Sequence, residues 1–183
     1  MIFEPKTVTL KNNQTAILKT PPVEDAPKML DYVTQACGET EFLARYPEEW
    51  SCISVESEEK WIRGARDGKN KLIITCYVDG RIVGNSEIDF LVGKKIQHRA
   101  TLAIAILKDY WGLGIGSALF TELLAAANQH SGTEIAELEF IEGNGRAKHL
   151  YEKFGFEVVS ERPNAFRLRD GSYRSEIFMQ KKL

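Results

Sequence analysis

Three glycines at alternate positions, Gly112, Gly114 and Gly116, interrupt the stretch DYWGLGIGSALF, which runs from Asp109 to Phe120. The apolar run TLAIAIL precedes this stretch and apolar residues at helical spacing follow it, so the predicted order is strand, glycine-rich turn, helix. Glycine lets the backbone turn tightly and approach a ligand closely, and the first amides of a helix have no partner within the helix. The stretch therefore predicts an anion site, for which a phosphate is the typical occupant.

Two other phosphate-binding motifs fit this stretch less well. The dinucleotide fingerprint GxGxxG needs a third glycine where Ser117 stands, and no clear series of parallel strands follows the turn. A Walker loop needs a Lys-Ser or Lys-Thr pair at the end of the turn, and the sequence has none there. NAD therefore remains an alternative ligand rather than the leading one.

A second pattern of polar and small residues lies downstream, in LEFIEGNGRAKHLYEKFGFE. Asn144, Ala147 and Tyr151 are spaced i, i+3 and i+7, so they fall along one face of a helix. The small Ala147 leaves room on that face for a ligand. Gly155 follows the helix, where the left-handed conformation that glycine accepts would suit a C-cap.

Together, DYWGLGIGSALF and LEFIEGNGRAKHLYEKFGFE resemble the GNAT superfamily of acyl-coenzyme A-dependent N-acyltransferases. That family's pattern is a strand, then Gln/Arg-x-x-Gly-x-Gly/Ala opening a helix, and later Asn-x-x-Ala-x-x-x-Tyr and Gly-Phe. The resemblance is strong over residues 81–159, and the element order of the whole chain fits it. Trp111 departs from the pattern, because Gln or Arg is usual at that position. We expect binding to survive this departure, with the side-chain contribution of Trp111 left open.

The resemblance implies acetyl-CoA as the cosubstrate and no metal. It also implies that the strand before the glycine turn and the strand EIAELEF splay apart, with pantetheine in the wedge and the pyrophosphate on the amides of the turn. In this arrangement Asn144 would hydrogen-bond the cofactor. The implied cofactor-binding residues are Ile104, Ala105, Ile106, Trp111, Gly112, Leu113, Gly114, Ile115, Gly116, Ser117, Asn144, Ala147 and Tyr151.

Transfer of an acetyl group to an amine, by direct attack in a ternary complex, makes three demands. The amine must lose its proton, for which a base is useful. The oxyanion needs a hydrogen-bond donor, which a strand amide near Ile106 could supply, and the leaving thiolate benefits from a proton donor. Tyr151 is the candidate general acid, as the family pattern implies. The alternatives are structural, with Asn144 as a helix N-cap and Tyr151 in a core stripe with Leu150 and Phe154.

The base and the acceptor site are less constrained by the sequence. Glu87 and Asp89 share one face of GNSEIDF, beside the strand that precedes the glycine turn, so Glu87 is the candidate base and Asp89 a candidate acceptor contact. His98 is an alternative base. In the acidic and aromatic segment GETEFLARYPEEW, Glu41 could attract a cationic amine and Tyr46 could provide contact surface. Each could equally be a solvated surface residue, and the acceptor stays either a small-molecule amine or a peptide amine.

Composition excludes several other classes of function. The chain has 183 residues, a formal net charge of -2 and a pI of about 6.0, which argues against the basic face of proteins that bind nucleic acid or anionic membranes. Three cysteines lie far apart without a nearby histidine pair, so no zinc site is predicted. The first residues lack a secretory signal and no apolar window is long enough to span a membrane, which predicts a cytoplasmic protein.

The elements that must position these residues follow from hydrophobic periodicity and turn signals. We predict an α/β (α+β) fold: a mixed, mostly antiparallel sheet of six or seven strands with splayed central strands, flanked by about four helices. The first helix should begin near Glu24, the second should open at Ser57, and the third should run from Ser117 to about Gln129. Segments GETEFLARYPEEWS and RDGS should be a loop or broken helix and a turn, and Asp79-Gly80 should close a hairpin.

The sequence thus predicts a single N-acetyltransferase domain over residues 1–183. A non-catalytic acyl-CoA sensor is the alternative, since a chain could keep the glycine turn without turnover, and an NAD-binding protein is a third reading. Retention of Tyr151 favours the enzyme. A homodimer is compatible with the resemblance, because dimers are common in the resembled family.

Overall fold

The computed structural model describes residues 1–183 and contains one eight-stranded sheet. In spatial order the strands are β1-β2-β3-β4-β5-β6-β8-β7, and all neighbours are antiparallel except β5 and β6, which are parallel. The strands are β1 (Lys6–Thr9), β2 (Thr15–Lys19), β3 (Lys71–Val78), β4 (Arg81–Phe90), β5 (Arg99–Ile106), β6 (Ile135–Ile141), β7 (Glu157–Arg167) and β8 (Tyr173–Lys182).

The predicted fold class is confirmed, with a small difference in strand number. The sheet has eight strands rather than six or seven because the N-terminal hairpin is continuous with it: β2 pairs with β3 from Ala16 to Lys19. The hairpin at Asp79-Gly80 is present, and both residues have positive φ, 50° and 79°. Positive φ at both central residues is what a two-residue turn of this kind requires.

Five helices flank the sheet, one of them a single turn: α1 (Ala26–Gly38), α2 (Pro47–Trp50), α3 (Val55–Asp67), α4 (Ile115–Gln129) and α5 (Gly145–Lys153). Three predicted helix starts need correction. Glu24 lies in a short 3-10 turn before α1, and α4 begins two residues before Ser117. The cap of α3 is Ser54 rather than Ser57, because the Ser54 hydroxyl accepts a hydrogen bond from the Ser57 amide.

The sheet has a separate apolar core on each face. On one face, α4 buries Leu119, Phe120 and Leu123 against the central strands, and α5 adds Tyr151. On the other face α1 and α3 cover part of the sheet, and a smaller cluster forms there around residues of α1, β3 and β4. The helices therefore hold the central strands from both sides. No helix is both long and apolar enough to cross a membrane.

The central strands β5 and β6 separate after a short parallel start. Their pairing ends at Thr101 and Glu137. Beyond that point β5 stays paired with β4 as far as Ile106, and β6 stays paired with β8 as far as Ile141. The facing edges of β5 and β6 therefore diverge into a wedge, so the predicted splayed strands are present in the fold.

Candidate active site

A cavity of about 720 Å³ opens between the diverging ends of β5 and β6. The glycine turn, the first turn of α4 and one face of α5 complete its walls. Twelve of the thirteen sequence-predicted cofactor residues line it: Ile104, Ala105, Ile106, Trp111, Gly112, Gly114, Ile115, Gly116, Ser117, Asn144, Ala147 and Tyr151. Leu113 does not line the cavity; its carbonyl accepts a hydrogen bond of 3.1 Å from the Lys11 amide, which attaches the turn to the β1–β2 hairpin.

The backbone of the glycine turn carries a row of amides without acceptors. None of the backbone amides from Gly112 to Ser117 donates a hydrogen bond within the chain. Gly112 and Gly114 have φ values of 77° and 98°, which favour glycine, and Gly114 is the N-cap of α4 without any side-chain cap. A Cβ at Gly116 would lie 3.0 Å from Leu150 Cδ2, so a larger residue there would require the Leu150 side chain to shift. The turn is therefore built to accept an anion.

Cationic side chains line the same end of the cavity: Lys11, Arg146 and Lys153. The Lys153 ammonium donates to the Ser117 hydroxyl at 3.0 Å, beside the unpaired amides. Two independent features, the amides and the cations, thus make this end of the cavity favourable for phosphate groups.

Trp111 braces the turn against the end of β5. Its indole Nε1–H donates to the Ile106 carbonyl at 2.7 Å, and the Arg146 guanidinium lies 4.6 Å from the centre of its ring. The side chain that replaces the usual Gln or Arg therefore has an internal structural partner and orients Arg146.

The residues of the downstream motif lie on α5 or cap it. They contribute to the packing of the helix and also border the cavity. Asn144 is the N-cap of the helix, its Oδ1 accepting from the Ala147 amide at 3.1 Å. Tyr151 is only 5% exposed, and its ring packs against Phe120 and Phe140. Asn144 thus has the predicted N-cap role and Tyr151 the predicted core role. Both residues also border the cavity.

The Tyr151 hydroxyl is the part of that side chain that can reach a ligand. It makes no internal hydrogen bond, yet no fully buried polar side-chain atom in the chain lacks a partner, so the hydroxyl opens to the cavity that Tyr151 lines. Burial raises the pKa of the Tyr151 phenol well above its usual value. The hydroxyl therefore keeps its proton throughout the neutral range.

The other end of the cavity combines apolar walls with carboxylates. Its lining comes from the end of α1 and the loop after it, and from β6, β7 and β8: Ala36, Thr40, Phe42, Leu43, Ala44, Glu139, Phe140, Ile141, Phe166 and Glu176. Glu41 and Tyr46 belong to the same loop but do not line the cavity. The Arg169 guanidinium lies 4.2 Å from the centre of the Tyr46 ring and pairs with Glu48, so part of the loop's acidity is neutralised.

Glu139 is a candidate base that the sequence analysis missed. It lies on β6 two residues beyond Glu137, where the pairing with β5 has just ended, and it is exposed to the cavity. Partial desolvation of the carboxyl, followed by the negative charges of Glu176 and Glu137, raises its pKa. The signal was available, because ELEF alternates and a repeated glutamate in a central strand indicates a polar face.

The structure places Glu87 and Asp89 one strand away from the cavity. Both carboxylates pair with the Lys71 ammonium, at 2.9 Å and 2.8 Å. Neither lines the cavity, because β5 lies between β4 and the wedge. Glu58 of α3 lies near them, and burial together with the charge of Glu87 raises its pKa to about 7. Glu87, the predicted base, is therefore part of an ion-pair group on the sheet face.

Comparison with known proteins gives a family match and curated relatives. The Acetyltransferase (GNAT) family model matches residues 38–156. The L-amino acid N-acetyltransferase AaaT of Escherichia coli is 28% identical over 109 residues, 60% of this chain and 66% of that protein. The [Ribosomal protein bS18]-alanine N-acetyltransferase of Haemophilus influenzae is 32% identical over 105 residues, 56% of this chain and 70% of that protein. The matches span about two thirds of the length of these relatives.

Solved structures share the architecture described above. An acetyltransferase of the GNAT family from Streptococcus pneumoniae has a TM-score of 0.86 at 23% identity, covering 92% of this chain and 99% of that chain. The yncA acetyltransferase structure from Salmonella typhimurium, with its cofactor acetyl-CoA, has a TM-score of 0.77 at 15% identity, covering 92% of this chain and 94% of that chain. Both similarities concern the fold, and they agree with the predicted fold class.

Proposed function

The chain belongs to the acetyltransferase (GNAT) family, and on this premise we propose that it transfers an acetyl group from acetyl-CoA to a primary amine by direct attack in a ternary complex. The observation that carries the proposal is the row of unpaired amides from Gly112 to Ser117 at the mouth of the wedge. Family membership bears out the predicted enzyme class. The cosubstrate, the mechanism and the acceptor are proposals.

The two ends of the cavity differ in charge, and each would bind the reactant of opposite charge. The amides and cations around the glycine turn would hold the phosphates of acetyl-CoA, with the pantetheine arm along β5 near Ile104 to Ile106. The end with Glu139 would hold the amine, and Glu176 at that end already pairs with Arg162. A cosubstrate with an anionic tail and an acceptor with a cationic head would therefore meet in one orientation.

In the proposed reaction each proton has a named destination. Glu139 takes a proton from the ammonium, directly or through water, and the neutral amine attacks the thioester carbonyl. An amide on the unpaired edge of β5 near Ile106 stabilises the oxyanion. The carbon–sulfur bond then breaks, and the leaving thiolate takes the proton of the Tyr151 hydroxyl. The extra proton of the attacking nitrogen passes through water to the Tyr151 phenolate, which restores the phenol, and Glu139 releases its proton to solvent. This route uses neither a covalent enzyme intermediate nor a metal.

Calorimetric titration with acetyl-CoA, with NAD in parallel, tests the cosubstrate first. We expect micromolar binding of acetyl-CoA and none of NAD. Release of free thiol on addition of amines then separates the enzyme from a non-catalytic sensor, which would bind without turnover. No binding of acetyl-CoA, or a preference for NAD, would remove the proposal.

Glu139→Gln should lower kcat by about 10²-fold or more, because removing a positioned base costs that much in many enzymes. Only the deprotonated carboxylate is a base, so wild-type kcat/KM should rise with pH as the raised pKa of Glu139 is passed. In the variant this acid limb should be lost. The measurement is a pH–rate profile at saturating acetyl-CoA.

Glu137→Gln is the matched control for this variant. Glu137 lies on the same face of β6 but pairs with Arg99 and is outside the cavity lining. The Glu137→Gln variant should keep the acid limb of the pH–rate profile. A Glu139→Gln enzyme with the wild-type profile would exclude Glu139 as the base.

The proposal also includes three points from the sequence: a single domain over residues 1–183, a cytoplasmic location and a homodimer. Sedimentation of the purified protein would test the last of these directly.

A further inference from the structure

One edge of β5 loses its partner towards the end of the strand. Pairing with β6 ends at Thr101, whereas pairing with β4 continues. The Leu107 amide donates to the Val83 carbonyl on β4 at 2.9 Å. Because the backbone groups of successive residues point to opposite edges of a strand, the Ile106 amide faces the wedge, where no strand accepts its hydrogen bond. The proposed reaction assigns the oxyanion to this part of the edge.

The Ile106 amide belongs to the same peptide group as the Ala105 carbonyl. A trans peptide is planar, and its N–H and C=O point in opposite directions; none of the peptide bonds in the chain is cis. The Ala105 carbonyl therefore points away from the wedge, towards β4, where Asn85 is the cross-strand partner of Ala105. Any group that fixes this carbonyl also fixes the direction of the Ile106 N–H.

Helix α1 supplies such a group, the hydroxyl of Tyr32. The side chain is 4% exposed, and the hydroxyl donates to the Ala105 carbonyl at 2.6 Å. Burial raises the pKa of the Tyr32 phenol well above its usual value, so the hydroxyl keeps its proton and remains the donor. Tyr32 does not line the cavity. Its hydroxyl therefore contacts the far side of the peptide group whose N–H faces the wedge.

A hydrogen bond to the carbonyl affects the amide in two ways. It fixes the peptide plane, and it polarises the peptide, which strengthens the N–H as a donor because hydrogen bonds in a chain reinforce one another. An oxyanion donor is most effective when its direction is fixed before the reaction. The Trp111 indole, which donates to the Ile106 carbonyl, holds the next peptide group in the same way.

We propose that Tyr32 is a positioning residue for the transfer reaction: its hydroxyl orients and polarises the Ala105–Ile106 peptide, whose N–H binds the carbonyl oxygen of the thioester and stabilises the oxyanion. This inference rests on the proposed function. Tyr32 touches neither reactant, so its effect on the reaction passes through the backbone.

The test is the carbonyl band of bound acetyl-CoA, labelled with carbon-13 at the acetyl carbonyl and observed by difference infrared spectroscopy. A hydrogen bond to the carbonyl oxygen lowers its stretching frequency. We therefore expect the band to move to higher frequency in Tyr32→Phe. Calorimetry should give the wild-type affinity for acetyl-CoA, since the glycine turn is unchanged. The same band in the wild type and in Tyr32→Phe would overturn the inference.

Tyr77→Phe is the matched control for this variant. Tyr77 belongs to the same small apolar cluster as Tyr32, is 5% exposed, and donates to the Asp25 carboxylate at 2.9 Å, a contact that does not involve β5. Both variants lose one buried hydroxyl, and both should have a lower melting temperature than the wild type. Only Tyr32→Phe should move the carbonyl band. An equal shift in both variants would show a general effect of the cluster and would overturn the inference.

Turnover supplies the second readout. With octylamine as the acceptor, chosen for the apolar walls of the acceptor end, Tyr32→Phe should lower kcat about 10-fold at an unchanged KM for acetyl-CoA, because a misdirected oxyanion donor loses part of its effect. Tyr77→Phe should keep the wild-type kcat. Failure of the wild type to bind acetyl-CoA would contradict the proposed function. Normal binding, with an unmoved band and an unchanged kcat in Tyr32→Phe, would contradict only the role of Tyr32.

Discussion

Gly114→Glu is expected to weaken acetyl-CoA binding by about 100-fold or more, which corresponds to about 2.7 kcal/mol. Gly114 has a φ of 98° and is the N-cap of α4, so any side chain there strains the turn that presents the unpaired amides. A glutamate also places a negative charge in the region proposed for the pyrophosphate. Both effects act on the same ligand, and calorimetry with acetyl-CoA measures their sum.

Gly132→Glu separates these site effects from general damage. Gly132 also has a left-handed φ, 83°, and an added Cβ would meet nothing within 4 Å, in the loop between α4 and β6. The same strain and the same charge are thus introduced outside the cavity lining. This variant should bind acetyl-CoA as the wild type does. Comparable loss in both variants, or normal binding by Gly114→Glu, would contradict the assignment of the glycine turn.

Features that depend on a few adjacent residues could be predicted from the sequence. The Asp79-Gly80 hairpin and the left-handed Gly155 after α5 are confirmed, since positive φ is a local property of the backbone. The predicted start of α3 at Ser57 was wrong, and the reason is also local. Ser54 and Ser57 are three residues apart and their hydroxyls are 3.0 Å from each other, so sequence pattern alone does not select the cap.

The cofactor end of the cavity could be located because its residues are adjacent in the sequence. Residues 112–117 form one turn and residues 144–151 one helix face, and both border the same wedge. The acceptor end could not be assembled in this way. Its lining comes from α1, β6, β7 and β8, which only the sheet order brings together.

The base illustrates what strand order adds to residue pattern. Glu87 and Glu139 both belong to alternating strands, and both side chains face the α1 and α3 side of the sheet. Only the divergence of β5 and β6 gives Glu139 access to the wedge, whereas β5 separates Glu87 from it. Periodicity identifies the face of a residue, but the splay, a long-range property, decides which residue reaches the cavity.

Tyr151→Phe is expected to reduce kcat by about 10²-fold with little change in the KM for acetyl-CoA, because a positioned general acid contributes about that factor. The ring packs against Phe120, Phe140 and Phe156, and phenylalanine keeps these contacts. The hydroxyl has no internal partner, so its removal leaves no buried group unpaired. The melting temperature should therefore stay close to that of the wild type.

The pH dependence distinguishes a proton donor from a packing residue at this position. Since the pKa of Tyr151 is raised from its ordinary value of 10.0, the phenol keeps its proton through alkaline pH, and wild-type kcat should not decline as pH approaches that value. Tyr110→Phe is the matched control, because Tyr110 lines the cavity from the turn before the glycines. A large loss of kcat in Tyr110→Phe, with none in Tyr151→Phe, would transfer the donor role to Tyr110. A Tyr151→Phe variant with a low kcat and an unchanged melting temperature would support Tyr151 as the group that protonates the thiolate.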